Sequence, residues 1–283
     1  MRPPIRYVIC DVFTDRALTG NQLAVFTDAR ALETELMQAL AREMGFSEST
    51  FILPPEAGGH ARVRIFTPER ELPFAGHPTL GTAFVVGEST QLDVVRLETG
   101  VGVVPVRLER QGPRVVFGWM TQPVPTVSPF DHTAELLAAL RVGRSELPVE
   151  VYDNGLAHVY VTLPSREAVA AVRPDMARLA TLGVTGSNVF AGDGERWKTR
   201  MFAPANGVPE DPATGSAAGP LALHLARHGR IAFGTTIRIE QGTEMKRPSE
   251  LHARVRGDAA APIIEVGGAA VVVGRGEFRL DRG

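Results

Sequence analysis

Arg64-Ile-Phe-Thr-Pro68-Glu-Arg-Glu-Leu-Pro73 is answered later in the chain by Arg200-Met-Phe-Ala-Pro204-Ala-Asn-Gly-Val-Pro209. Arg, Phe, Pro and Pro return in the same order and spacing, 136 positions on (64 to 200). Upstream, Gly45-Phe-Ser-Glu48-Ser-Thr-Phe51 matches Gly183-Val-Thr-Gly186-Ser-Asn-Val189 at a distance of 138 (45 to 183). Downstream, Gly76-His77 is matched by Gly215-Ser216 at a distance of 139 (76 to 215). Three matches in one order, at nearly one offset, point to a duplicated unit of about half the chain.

The hydrophobic pattern around these matches supplies the elements. Ile5 to Phe13 and Leu23 to Phe26 read as strands, and Leu32, Leu36, Met37, Leu40 and Met44 recur at helical spacing. Arg62-Val-Arg-Ile-Phe66 alternates as a half-buried strand does. His77 to Val86 is small and apolar nearly all round, which predicts a helix enclosed by its surroundings. Strand-like runs follow at 94–97, 103–108 and 114–119. Gln122-Pro-Val-Pro-Thr-Val-Ser-Pro129 reads as a linker because proline removes donors and favours extended chain. A helix at 133–140, a second apolar helix from about Ala217 to His228, and closing strands at 263–266 and 270–273 complete the plan. The expected fold is α/β (α+β), with pseudo-symmetric domains over residues 1–125 and 126–283. Each would be a curved, barrel-like sheet around a central helix, with a terminal strand able to cross to the first domain.

Composition narrows the function. Net charge is −2, with 44% hydrophobic and 22% charged residues and no basic stripe, so no nucleic-acid partner is expected. Cys10 is the only cysteine, which excludes an internal disulfide, a thiolate-built metal site and any two-thiol mechanism. Met1 to Tyr7 lacks an apolar signal core, and the apolar run Gly267–Gly274 is too short to span a bilayer. A cytoplasmic protein free of membrane is the expectation. Gly192-Asp-Gly-Glu reads as a hairpin turn, since it has neither dinucleotide nor P-loop spacing. His224 and His228 stand four apart on a helix, as a metal-chelating pair does. Without a His-Glu-x-x-His motif or an evident third ligand they read as a structural pair. Gly215-Ser216-Ala-Ala-Gly219 is not the Gly-x-Ser-x-Gly elbow of a serine hydrolase. No metal and no cofactor are expected.

The chemistry is expected where the two apolar helices begin. Helix starts offer unpaired N–H groups and partial positive charge, and Gly76 and Gly215 let a small anionic substrate approach closely. Similar halves would meet along a cleft, a common place for ligands. Glu48 has Gly186 as its counterpart in the repeat, so a carboxylate stands on one side only. Burial there would raise its pKa toward that of a general base. Asp211 and His77 lie beside the two helix starts. A histidine at a helix start loses proton affinity to the dipole and serves as a neutral donor or acceptor. Ser47 beside Glu48, and Thr214 before Gly215, complete the candidate substrate contacts.

With these residues in view, the chain resembles the phenazine-biosynthesis isomerase (PhzF-like) family. Gly20-Asn21-Gln-Leu-Ala-Val-Phe26, Phe46-Ser-Glu48-Ser-Thr50, Leu72-Pro-Phe-Ala-Gly-His77-Pro78 and Glu210-Asp-Pro-Ala-Thr-Gly-Ser-Ala217 carry the likeness, down to the Gly267-Gly-Ala-Ala-Val-Val-Val-Gly274 close. Gln22-Leu23 departs from the Pro-Ala of many members. The resemblance implies a diaminopimelate-epimerase-like fold and a homodimer. It implies catalysis by Glu48 with His77, Asp211 and Ser216 in support, and glycines at Gly76 and Gly215. The implied reaction is cofactor-independent isomerisation of a small, carboxylate-bearing molecule, one glutamate taking a C–H proton and returning it elsewhere. Epimerisation or racemisation on the same fold, and ligand binding without turnover, stay open as alternatives.

Overall fold

The run of small apolar residues after Ala75 forms a helix that strands cover on several sides. The computed structural model describes residues 3–280. The segment Met1 to Tyr7, read above for a signal core, begins on Met1 and Arg2, which lie outside the described residues, as do residues 281–283.

In chain order the first elements are β1 (Ile5–Val12), β2 (Asn21–Phe26), α1 (Thr34–Met44), β3 (Glu48–Leu53), β4 (Ala61–Phe66), β5 (Glu71–Leu72), α2 (Gly76–Thr90), β6 (Val94–Thr99), β7 (Gly102–Gln111) and β8 (Arg114–Gln122). Next come β9 (Thr126–Pro129), α3 (Thr133–Leu140), β10 (Glu150–Asp153), β11 (Ala157–Thr162), α4 (Arg166–Ala171), α5 (Met176–Leu179), β12 (Gly186–Asp193) and β13 (Arg196–Ala203). The rest are β14 (Val208–Asp211), α6 (Gly215–Arg227), β15 (Thr236–Gln241), β16 (Ser249–Arg256), β17 (Ile263–Gly268) and β18 (Ala270–Phe278). They form two units, Met1–Met120 with Gly268–Gly283, and Thr121–Gly267. Among the described residues, no helix is long and apolar enough to cross a membrane.

The first unit pairs its strands in the order β18-β1-β2-β3-β4-β6-β7-β8, with β5 added on β4. The second pairs β9-β10-β11-β12-β13-β15-β16-β17, with β14 added on β13. Both orders are antiparallel except at two places: β2/β3 and β4/β6 in the first unit, β11/β12 and β13/β15 in the second. The plan is therefore the same in both, and the faint sequence repeat is a structural one.

Each sheet curves around its apolar helix. Helix α2 touches β1, β2, β3, β6, β7 and β18, and every residue from Gly76 to Phe84 is buried. Helix α6 is buried from Gly215 to Ala226. Its Ala217 carbonyl accepts from Tyr160 Oη at 2.8 Å, and the His224 ring packs against Tyr152, Tyr160 and Phe190. Proline at position 220 has no N–H to give the Ser216 carbonyl four residues back. That carbonyl is taken instead by Asn154 Nδ2 at 2.9 Å. Helix α1 is amphipathic and lays Met37, Leu40 and Ala41 on Phe26, Phe51 and Phe66.

The duplicated Arg-x-Phe segment is one device built twice. Arg64 makes a two-pronged pair with Glu71 (2.7 and 2.6 Å) and lies over the Phe66 ring at 5.1 Å. Arg200 does the same with Glu210 (both 2.8 Å) and Phe202 (5.0 Å). The second copy is more enclosed, its arginine side chain 6% exposed against 21% for Arg64. Arg200 also donates to the Val172 carbonyl at 2.7 Å and the Ala170 carbonyl at 3.2 Å, holding the end of α4.

Three details differ from the sequence reading. The Pro-rich stretch is not wholly a linker: Thr126–Pro129 is β9, antiparallel to β10, with Pro129 at its end, where a missing donor does least harm. Helix α1 begins at Thr34, because the Leu32 N–H is held by the Ala29 carbonyl in a preceding turn. Helix α2 runs on to Thr90, its last turn held by Ser89 and Thr90 hydroxyls that donate to the Val86 carbonyl.

The unequal burial of the two arginines sets an expectation. Truncating one partner of a buried ion pair strands the other charge and costs about 3–5 kcal/mol, whereas exposed pairs contribute about 1 or less. Arg200→Ala should therefore lower the urea midpoint far more than Arg64→Ala; equal shifts would contradict the assignment.

Candidate active site

Gly45 ends α1 with φ 64°, a left-handed turn that suits glycine, and the chain enters β3 three residues later. Glu48 is the first residue of β3, opposite Leu23 of the parallel strand β2, with its side chain 15% exposed. Its Oε2 lies 3.5 Å from Nδ1 of His77, the second residue of α2. Asn21 Nδ2, at the start of β2, lies 3.2 Å from the same Nδ1. Ser47 is half-buried just before Glu48, and Gly76 opens the helix. No side chain caps the start of α2, since the capping position is Ala75.

Burial pushes the His77 imidazole down to a pKa of about 3, against a weaker upward pull from a hydrogen bond with the Gln22 backbone. The ring is therefore neutral near pH 7, and its contact with Glu48 is not an ion pair. Nε2 of His77 is buried and has no hydrogen-bond partner among the described residues. A carboxylate beside a neutral imidazole can accept a proton and return it without a competing cation nearby.

The other predicted residues sit around the start of α6. The Thr214 hydroxyl donates to Asp211 Oδ2 at 2.6 Å. Gln241, at the end of β15, locks both: its Nε2 donates to the Asp211 carbonyl at 2.8 Å and to Thr214 Oγ1 at 2.9 Å, while its Oε1 accepts from the Thr214 N–H at 3.1 Å. Gly242 follows with φ 77°, and a Cβ there would meet the carbonyl oxygens of Pro212 and Arg247 at 2.5 and 2.3 Å. The backbone around Asp211 is thus pinned by a position that tolerates only glycine. The Gly215 carbonyl accepts from Gln122 Nε2 at 2.8 Å, and Ser216 Oγ lies 3.0 Å from Nε2 of His158.

The structure therefore joins Glu48 with His77, and Asp211 with Thr214. Sequence reasoning missed Asn21, His158 and Gln241. Gly20-Asn21 stands inside a recognised motif, so Asn21 had a signal. Nothing in the local sequence marks His158 or Gln241, because only strand pairing brings them to the helix start.

His224 and His228 do have a third group beside them. Glu150 of β10 places a carboxylate oxygen where all three ligand atoms lie within 4.8 Å of one another, the arrangement that could hold a divalent ion. That oxygen already accepts from Tyr152 Oη at 2.9 Å and lies 2.9 Å from His228 Nε2. The Arg227 guanidinium, 3.7 Å from the other oxygen, supplies positive charge on the spot. The group reads as a closed polar network tying α6 to β10. Cys10 is buried in β1 with its thiol pushed up to about 12 by burial, so it stays protonated.

Each unit thus places polar groups at the start of its buried helix, a carboxylate and an imidazole in the first and a serine with a histidine in the second, and the chain's one thiol is buried and protonated. The sequence pattern described as phenazine biosynthesis-like protein (PhzC-PhzF) matches residues 10–276, and the chain belongs to this family. It is 52% identical to the trans-2,3-dihydro-3-hydroxyanthranilate isomerase of Pseudomonas aeruginosa, over 95% of this chain and 98% of that protein. A phenazine biosynthesis protein of the PhzF family from Bacillus anthracis has a similar structure (TM-score 0.87, 24% identity, 99% and 100% of the two chains). A hydroxyproline epimerase from Agrobacterium vitis shares the fold at 14% identity (TM-score 0.72, 98% and 91%). The chain is an isomerase.

Buried neutral histidines predict acid sensitivity. His77 and His158 protonate near pH 6.5 when unfolded, but only at about 3 and about 4 when folded. Between those limits the unfolded chain binds more protons, so stability is full above pH 6.5 and falls as pH drops through the window. Each histidine removes about 1.4 kcal/mol per pH unit there. Urea midpoints should decline from pH 7 to pH 4, and His158→Phe should flatten that slope; an unchanged slope would contradict the neutral assignment.

Proposed function

We propose that this isomerase acts on trans-2,3-dihydro-3-hydroxyanthranilate or a close analogue, with Glu48 as the proton carrier. The observation that carries the reading is the Glu48 carboxylate 3.5 Å from a buried, neutral His77 imidazole, in a chain half identical to a named isomerase of that substrate. Glu48 takes a ring C–H proton; the electron pair left behind spreads into the ring unsaturation and the carboxylate. The same acid then returns the proton at another ring carbon, so no atom is gained or lost. Asn21 Nδ2–H donates to His77 Nδ1 and fixes the imidazole, which stands beside the Glu48 carboxylate as a neutral wall that does not take its proton.

Asp211, positioned by Thr214 and Gln241, takes the role of binding the substrate's polar groups. Ser216 and the backbone N–H groups opened by Gly215 suit its carboxylate, and Gly76 is read as a further substrate contact. Ser47 and Thr214 complete the substrate contacts in this reading. The protein works without a cofactor or metal. The family resemblance supports a homodimer working in the cytoplasm, and size-exclusion chromatography with light scattering tests the dimer.

Glu48→Gln keeps shape and hydrogen bonding but cannot carry the proton. It should lower kcat by about a thousandfold or more while thermal unfolding and ligand affinity stay close to wild type. Turnover in D₂O should place one deuterium on a ring carbon of the product, and Glu48→Gln should abolish that exchange. A variant with normal turnover would remove Glu48 from the mechanism.

A further inference from the structure

The two parallel strand pairs beside the buried helices differ in one respect. In the first unit β2 and β3 pair with Leu23 opposite Glu48, and Glu48 reaches toward the second residue of α2. In the second unit β11 and β12 pair with His158 opposite Gly186, and His158 reaches the second residue of α6, Ser216. The carboxylate of one half is thus replaced in the other by an imidazole from the neighbouring strand. Gly186 makes room for it: a Cβ there would stand 2.7 Å from His158 Nδ1 and 2.9 Å from Met201 Sδ. Its counterpart in the repeat can be glutamate because Leu23 leaves that space free of a ring.

His158 is 1% exposed, and Ser216 Oγ is its one side-chain hydrogen-bond partner among the described residues. Nδ1 lies on the side of Gly186 and has no hydrogen-bond partner among the described residues. A buried N–H left without an acceptor is rarer than a bare lone pair, so the ring proton belongs on Nε2. Nε2–H then donates to Ser216 Oγ, and the serine's own hydrogen is left to point elsewhere. The dyad fixes the polarity of that hydroxyl.

We propose that His158 is a positioning residue that holds Ser216 as a hydrogen-bond donor, making this helix start selective for the carboxylate of the substrate over an uncharged amide. The inference rests on the reading of Ser216 as a contact of the substrate carboxylate and adds the residue that orients it. It is independent of the proton transfer at Glu48. His158 itself does not touch the substrate.

The test separates binding from chemistry. Dissociation constants are measured for 3-hydroxyanthranilate, an unreactive aromatic analogue, and for its carboxamide, with wild type, His158→Phe, His158→Gln and Ser216→Ala. Phe keeps the ring over Gly186 and removes the donor; Gln restores a donor. Wild type should prefer the carboxylate by about tenfold or more, His158→Phe should lose most of that preference, and His158→Gln should recover part of it. In turnover, His158→Phe should raise KM about tenfold with kcat within about threefold, and the Ser216→Ala/His158→Phe pair should be no worse than Ser216→Ala alone. Equal affinity for acid and amide in wild type, an unchanged KM in His158→Phe, or additive effects would overturn the proposal. Should His158→Phe fail to fold, the tautomer decides: nitrogen-15 NMR of the wild-type ring should show the proton on Nε2, and a proton on Nδ1 would overturn it. Loss of turnover in Glu48→Gln alongside an inert His158→Phe would sink this inference and leave the proposed reaction standing.

Discussion

A helix with no polar face cannot rest on a surface, and two such helices dictate the architecture of this chain. From Gly76 to Phe84 and from Gly215 to Ala226 every side chain is withdrawn from water. Strands must then cover such a helix on many sides, and a sheet with native twist curves readily enough to do so. Fully burying each large apolar side chain contributes about 1.5–3 kcal/mol, so the enclosure is worth far more than any single polar contact described above.

Enclosure has a chemical consequence at the helix start. The first N–H groups of a helix have no partners within it, and burial makes each of them expensive to leave unmet. Ala75 and Thr214, the residues before the two helices, provide no side-chain cap. The polar residues that gather there, His77 with Asn21 and Ser216 with His158, are themselves almost fully buried. Low solvent access keeps both imidazoles neutral near pH 7, so neither holds a proton or a positive charge beyond its one N–H. Stability and chemistry are coupled here through the same burial.

Duplication explains how one plan yields unlike tips. Arg64 and Arg200 hold equivalent acids and equivalent phenylalanine rings. The strand pairs beside the helices kept their register but exchanged side chains, glutamate against glycine on one strand and leucine against histidine on the next. A carboxylate on one side only is the outcome of that exchange.

The sequence alone determined the duplication, the two enclosed helices and the exclusion of thiol chemistry, because each depends on residue identity and local spacing. His77, Asp211 and Ser216 could be singled out because they stand beside glycine turns that announce a helix start, and Glu48 because the repeat has glycine at its counterpart, Gly186. The pairing of His158 with Ser216, the clamp of Gln241 on Asp211 and Thr214, and the carboxylate of Glu150 between two histidines were not legible. Those partners lie 58, 30 or 27, and 74 or 78 positions apart in the chain. They meet only through strand register, and register is a property of the whole sheet that no local stretch of sequence encodes.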